Sequence, residues 1–307
     1  MSFVLLDKPK NLTSFEACTI AKRDLGFKKA GHSGTLDPLA TGLLPVFFDK
    51  STKFIQFLMN KDKTYEAEFL FGCSSDTLDI TGNLTEYSDE KVPKKKEIQN
   101  VLEEIKNLKE LLVPSFSAKK VAGTPMYRLA RRGVNFRRVK QSIEIFEIKL
   151  LNFSYPKLKV HLKSSKGTYV RSVGEELSNR LKVSLVLNNL RRKKVGRFDL
   201  EKSIGLDELK NLDKKRKMQY VKPVEEILSD FPKVNIGSTE VKKFQNGMTI
   251  NIKLSKNLGL HKVFKNNTFI GLGEVVDKQI LKPKKLYFEG EIPVSYTHLR
   301  AHETRTN

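Results

Sequence analysis

The 307-residue chain has no tryptophan, two cysteines and far fewer acids than bases. Cys18 and Cys73 form no CxxC or other metal-ligand spacing, and read as two reduced thiols of a cytoplasmic protein. No apolar run approaches the ~18–20 residues that a membrane span needs. "MSFVLLDKPK" lacks a basic segment ahead of its apolar run and a small-residue cleavage site, so no signal peptide is expected. His298 and His302 fall in the last ten residues, and the other histidines are not grouped with candidate ligands. Neither a metal nor a membrane is therefore expected as a partner.

Positive charge is what the chain has in excess. Lysine and arginine number 57 against 35 acids, a formal charge of +22. An excess of that size favours a polyanion, with nucleic acid the leading candidate. The plainer reading is a lysine-rich solvated surface. A membrane surface fits less well, because no long amphipathic lysine-rich helix stands out. The 39% apolar content supports a real core, and the length points to about two domains.

"FVLLDKPKNLTSFEACTIAKRDLGF" predicts a strand at Phe3–Leu6, a turn, then a helix with Thr13 and Glu16 at capping-box spacing and Gly26 at its end. In "STKFIQFLM", Phe54, Ile55 and Leu58 share one helical face. "KTYEAEFLFG" alternates, with Tyr65, Ala67, Phe69 and Phe71 pointing inward on a half-buried strand. "EIQNVLEEIKNLKELL" predicts a helix with Ile98, Val101, Leu102, Ile105, Leu108 and Leu112 on one stripe, after a solvated lysine lead-in. "MYRLARRGV" reads as a short basic helix stopped by Gly133, and "KGTYVRSVGEELSNRL" passes from a glycine turn into a helix with Arg171 at the junction. The texture changes near Phe231 to short glycine- and asparagine-broken segments, with Asn266-Asn267 a candidate hairpin turn in a small β-domain. "PVSYTHLRAHETRTN" has neither periodicity nor an apolar face, and residues 293–307 read as a non-native tail.

One stretch is crowded with turn formers: "GHSGTLDPLATGLLPV", residues 31–46. Pro38 pushes Asp37 toward an extended conformation, and Gly31, Gly34 and Gly42 let a loop pass close to another surface. An Asp-Pro pair alone is a common turn. A carboxylate presented to RNA by so basic a chain is not there to attract phosphate; chemistry on base or sugar is a purpose it can serve.

"VLLDKPKNLTS", "GHSGTLDPLATGLLPV", "KTYEAEFLFG", "VPSFSAKKVAGTPMYRLARRG" and "GTYVRS…LNNLRRKKVGRF" stand in this order and together resemble the TruB family of bacterial tRNA pseudouridine synthases. The resemblance covers about Phe3 to Phe198 strongly and is looser beyond, where the chain is similar to a PUA-type RNA-binding domain. It implies an α+β fold: a mixed, largely antiparallel sheet with flanking helices over 1–230, and a small β-rich PUA-like domain over 231–292. It implies isomerisation of uridine 55 in the T-loop of tRNA without a cofactor, by a protein expected to be a monomer. Asp37 matches the catalytic aspartate, which attacks the sugar C1′ or the pyrimidine C6, and a positioned carboxylate is a competent nucleophile. Arg171 matches the arginine that pairs with it, favouring the ionised form. Tyr65 matches the active-site tyrosine that stacks on the extruded base and is a candidate for removing the C5 proton; by alternation alone it is a core residue more often than a catalyst.

The resemblance makes His32 the ring that fills the gap left by base flipping, where the residues alone allow a structural histidine. Leu190 matches an apolar pocket residue and is equally explained as core. Lys8 and Pro9 match a motif that buttresses the active-site loop. The basic clusters containing Arg128, Arg131 and Arg132, Arg137 and Arg138, and Arg191 and Arg192 with Lys193 and Lys194 are expected to hold phosphates of the T-stem-loop. Three rivals remain open on the sequence: a synthase of the same family acting on another RNA, a non-catalytic RNA-binding protein, and a metal-dependent nuclease. The last is weakened because Asp76 and Asp79 lack partners at metal-ligand spacing.

Overall fold

The computed structural model describes residues 2–87, 91–253 and 257–287. The tail expected over 293–307 lies outside them, as do residues 288–292 of the expected second domain. The chain divides into two compact units between Lys222 and Pro223.

The first unit is built on a ten-stranded sheet. Its principal strands are β1 (Ser2–Lys8), β2 (Ala30–His32), β3 (Thr41–Phe48), β4 (Lys63–Phe71), β5 (Ile145–Ser154), β6 (Lys157–Ser164), β7 (Leu185–Val195) and β8 (Ile204–Gly205). The order is β5-β6-β4-β7-β3-β1-β8, with β2 added to β3. Only the β7–β3 and β1–β8 pairs among these are parallel, so the sheet is mixed and largely antiparallel. Helices α1 (Ser14–Leu25), α2 (Lys95–Lys106), α3 (Met126–Arg131) and α4 (Val170–Leu181) accompany it.

Local chemistry accounts for much of this. In α1, Thr13 and Glu16 form the reciprocal capping box and Gly26 closes the helix at φ +75°, as their spacing predicts. Strand β4 buries Tyr65, Ala67, Phe69 and Phe71 while Glu66 and Glu68 stay half-exposed. Strands β1 and β3 run through the sheet interior as near-continuous apolar segments, buried on both faces.

Three expectations are corrected. Residues 31–46 are not one loop: Gly31 and His32 lie on β2 and Thr41–Phe48 form β3, leaving a loop over 33–40. "GLLPVFF" is apolar enough to be buried between β1 and β7, and that outweighs its glycine and proline. Leu112 leaves the α2 stripe, because the helix ends at Lys106 and Leu112 sits exposed on a strand, with Leu111 buried instead. The C-terminal unit also carries a helix, α5 (Ser238–Gln245), whose Val241 and Phe244 are buried.

That unit has a five-stranded sheet of β9 (Lys233–Asn235), β10 (Ile250–Asn251), β11 (Gly259–Lys265), β12 (Thr268–Asp277) and β13 (Ile280–Leu286), in the order β9-β11-β12-β13-β10. Lys265 pairs with Thr268 across a two-residue turn in which Asn266 takes φ +53°. Val241, Phe244, Val263, Ile270 and Leu281 form its own core.

Candidate active site

Asp37 sits on the loop between β2 and β3. The loop is held from below: the Ser14 hydroxyl, at the start of α1, donates to the Leu36 carbonyl (3.0 Å) and accepts from the Leu36 N–H (2.8 Å). The Asn11 N–H donates to the Pro38 carbonyl (2.8 Å), and the Ala40 N–H closes a turn on the Asp37 carbonyl (3.0 Å). Asp at the first and proline at the second position suit that turn. Leu36, Leu39 and Ala40 are buried, whereas the Asp37 side chain keeps 37% exposure. The loop is anchored by apolar neighbours and offers one carboxylate outward.

Arg171, the second residue of α4, brings its Nη2 to 2.9 Å from Asp37 Oδ2. Its side chain is almost wholly buried. The same guanidinium donates to the carbonyls of Thr77 and Phe116, both at 3.1 Å, and lies 3.6 Å from Asp79 Oδ2. Asp79 is itself buried, and its Oδ1 accepts from the hydroxyl of Thr77 and from the hydroxyl and N–H of Thr81. Its backbone bridges to Leu187 of β7. Arg171 therefore stands between two carboxylates, one buried and one open to solvent, in a fixed orientation. Sequence reasoning weighed Asp79 only as a metal ligand and missed this role; the signal was its setting of threonines in "DTLDITGN", the type of side chain that holds a buried carboxylate. Tyr169, just before α4, was also missed. Burial pushes its phenol above the ordinary tyrosine value, opposed by a hydrogen bond with Ser117, and both Asp37 and Arg171 are close enough to act on it.

Tyr65 is 8% exposed on β4, in the same core cluster as Leu36, Leu39 and Leu190. Leu190 lies on β7 opposite Ala67 and is buried. His32 is half-buried at the end of β2, not at an exposed loop tip as the glycines led one to expect. Its Nδ1 accepts the Gly34 N–H at 3.3 Å, which puts the ring proton on Nε2 in the neutral form. Burial, then the charge of Arg192, lower its pKa below the usual histidine value, so the ring is neutral near pH 7. Lys8 is fully buried beneath the loop, donating to the carbonyls of Pro9 (2.8 Å) and Leu12 (2.7 Å). Burial lowers its pKa to about 8, with Asp37 opposing and Arg192 adding to the shift.

The glycines in and beside the loop, Gly31, Gly34 and Gly42, approach the protein itself. Gly42 has φ +102°, and a Cβ there would lie 2.4 Å from the Arg192 carbonyl oxygen on β7. Only glycine lets the two strands meet so closely.

The basic clusters divide. Arg128, Arg131, Arg132 and Arg137 are exposed, the first two 5.9 and 5.8 Å from the Tyr127 ring centroid. Arg138 instead clamps Glu175 with both Nη atoms at 2.6 Å. Of the Arg191–Lys194 cluster expected to hold phosphate, Arg192 is the one buried away from solvent. Arg191 is bidentate to Asp7 (3.1 and 2.6 Å), Arg192 is buried, Lys193 lies 3.8 Å from Glu66 and Lys194 2.8 Å from Asp199. The reason is position: Arg192 is closed in between β4 and β3, while the side chains of Arg191, Lys193 and Lys194 keep 38, 37 and 54% exposure beside their acids. Among the described residues no group of three histidines, cysteines or acids gathers as a metal site, and no helix is long and apolar enough to cross a membrane.

The family model described as TruB family pseudouridylate synthase (N terminal domain) matches residues 22–170, and that for Pseudouridine synthase II TruB, C-terminal, matches 232–287. The chain is similar to the tRNA pseudouridine synthase B of Dechloromonas aromatica (strain RCB), 36% identical over 92% of this chain and 94% of the relative. It is 35% identical to that of Aquifex aeolicus (strain VF5), over 92% and 98%. Among solved structures, a chain of a Cbf5-Nop10-Gar1 complex superposes with TM-score 0.67 at 22% identity, covering 94% of this chain and 85% of that one.

Proposed function

This chain belongs to the TruB family of pseudouridine synthases, and we propose that it isomerises uridine 55 in the T-loop of tRNA with Asp37 as the nucleophile. The tRNA substrate is the one in the names of its relatives. The observation that carries the nucleophile is the 2.9 Å pair between Asp37 and the buried Arg171 on an anchored loop. A carboxylate so oriented attacks C1′ or C6 of the uridine; the N1–C1′ bond breaks, the uracil turns and bonds to C1′ through C5, the bond to Asp37 breaks, and the C5 proton is lost to a base while N1 takes up a proton. Arg171, fixed by two carbonyls and Asp79, holds the carboxylate's direction, which a lysine would not.

The target base is stacked inside the folded T-loop and has to be flipped out. Tyr65 and Leu190 form the apolar wall that receives it, and Tyr65 is the candidate base for the C5 proton. His32, neutral and half-buried, supplies a flat uncharged ring for the vacated stack. Arg128, Arg131, Arg132 and Arg137 hold phosphates, contributing affinity with little sequence choice. The C-terminal unit serves as a second, PUA-like RNA contact.

Tritium release from tRNA carrying 5-³H-uridine tests the reading, with the modified position mapped in the product. Release from the wild-type protein at position 55, and none from Asp37→Asn with tRNA binding retained, is the expected result. No release from the wild type would make this an RNA-binding protein only, and release from another site would reassign the substrate.

A further inference from the structure

Arg192 is a guanidinium 2% exposed in the sheet interior whose electrostatic partner is the hydroxyl of Tyr65, not an acid. A charge so placed is costly unless its donors are well used. Three of the five N–H groups of this guanidinium have acceptors that tie it to the site. Its Nε donates to the Leu43 carbonyl at 2.7 Å, its Nη2 to the Gly34 carbonyl at 3.0 Å, and its side chain also hydrogen-bonds Tyr65. Gly34 and Leu43 bracket the loop that carries Asp37. In register, Arg192 faces Tyr65 on one neighbouring strand and Gly42 on the other.

We infer that Arg192 is a positioning residue that fastens both ends of the Asp37 loop to the hydroxyl of Tyr65, so that nucleophile and ring keep one spacing while RNA binds; this rests on the roles given to Asp37 and Tyr65 above. Arginine has donors only, so the phenol oxygen accepts from it and directs its own proton elsewhere. That fixes the polarity of the hydroxyl as well as its place. The planar fork reaches two carbonyls and a phenol at once, which the single ammonium of lysine does not. The glycine at 42 belongs to the same device, since its missing Cβ lets β3 lie against the Arg192 backbone.

The test uses the full chain and the variants Arg192→Met, Arg192→Lys and Tyr65→Phe. In single-turnover pseudouridine formation at saturating tRNA, Arg192→Met is expected to lose about 100-fold or more, the scale set by ångström misplacement of reacting groups. Its tRNA dissociation constant should stay within about threefold, because no phosphate-binding group is removed. Arg192→Lys should recover only a small part of the rate. Combined with Tyr65→Phe, Arg192→Met should cost little beyond the larger single loss, as expected for groups acting as a unit. Independently of activity, amide exchange across 34–43 should quicken in Arg192→Met while that of β4 stays unchanged. Wild-type turnover in Arg192→Met, multiplicative losses in the double variant, or unchanged exchange across the loop would each overturn the inference. So would weakened binding with a salt slope reduced by about one, which would make Arg192 a phosphate ligand. Should Arg192→Met not fold, Arg192→Lys carries the rate and exchange arms. A wild type without tritium release would sink the catalytic reading while the exchange arm still decides whether the tie exists.

Discussion

Arg128, Arg131 and Arg132, on α3 and just after it, stand toward solvent, whereas on β7 Arg191 is half-exposed against an acid and its neighbour Arg192 is engaged inside the fold. Both stretches read as paired arginines in an apolar setting. The first lies on a two-turn helix and its following loop, at the surface of the fold. The second lies on a strand between β4 and β3, where one arginine must face each side of a sheet and meet whatever its neighbours offer. Asp7 answers Arg191, and Tyr65 with two loop carbonyls answers Arg192. Cationic runs report RNA contact only where the backbone leaves them uncovered.

The largest effect should come from the inner set of charges. Asp37→Asn is expected to abolish pseudouridine formation without weakening tRNA binding, since it removes charge from the nucleophile alone and takes an anion away from RNA. Arg171→Lys should be severely impaired in rate yet bind normally. Single-turnover kinetics beside filter binding measure both, and a binding defect matching the rate defect would erase the distinction between inner and outer charges.

Next in size is the outer set. Replacing Arg128, Arg131 and Arg132 together with glutamine should weaken tRNA binding on the order of 10- to 100-fold at moderate salt, and lower the salt slope by about 0.7–0.9 for each phosphate no longer neutralised. Turnover at saturating tRNA should be unchanged. If affinity is untouched, α3 faces away from the RNA.

Arg138→Met sharpens the comparison from the other side, because Arg138 lies in the same basic stretch but is bound to Glu175. Breaking a half-buried bidentate pair should cost roughly 1–3 kcal/mol of stability and leave tRNA affinity unaltered. Urea unfolding and filter binding on one preparation decide it; lost affinity with intact stability would return Arg138 to the RNA-facing set.

The smallest effect concerns the buried lysines. Burial lowers both Lys8 and Lys63 from 10.5 to about 8. Between those values the unfolded chain binds more protons than the folded one, so stability should rise with pH from about 8 to 10.5 and be flat below. Each lysine contributes a slope of up to about 1.4 kcal/mol per pH unit. Urea unfolding at a series of pH values should show a shallower rise for Lys8→Met than for the wild type, and identical slopes would show that burial of Lys8 does not set its titration.

Where structure follows from neighbours along the chain, it was legible. The Thr13–Glu16 box, Gly26, the alternation through Tyr65 and the Asn266 turn all depend on spacings of a few residues. The stripe of α2 was overextended to Leu112 because apolar residues continued past Asn107 at spacings that a strand also satisfies. Helix α5 was overlooked because Val241 and Phe244, its two buried positions, are too few to make a period stand out.

The sequence by itself determined the family, the order of its motifs and the identity of Asp37, Tyr65 and Arg171 as the residues to watch, because those signals are written in contiguous words. It also determined that a strongly cationic chain carries a lone carboxylate on a turn. Only the tertiary structure decided which charges are covered and which face solvent. Asp79 is placed behind Arg171, and Arg192 between Tyr65 and the Asp37 loop, by contacts spanning more than a hundred residues in the case of Arg192. No local spacing encodes such partners: they meet because β7 is threaded between β3 and β4, and a sheet's neighbours are set by the packing of the whole core.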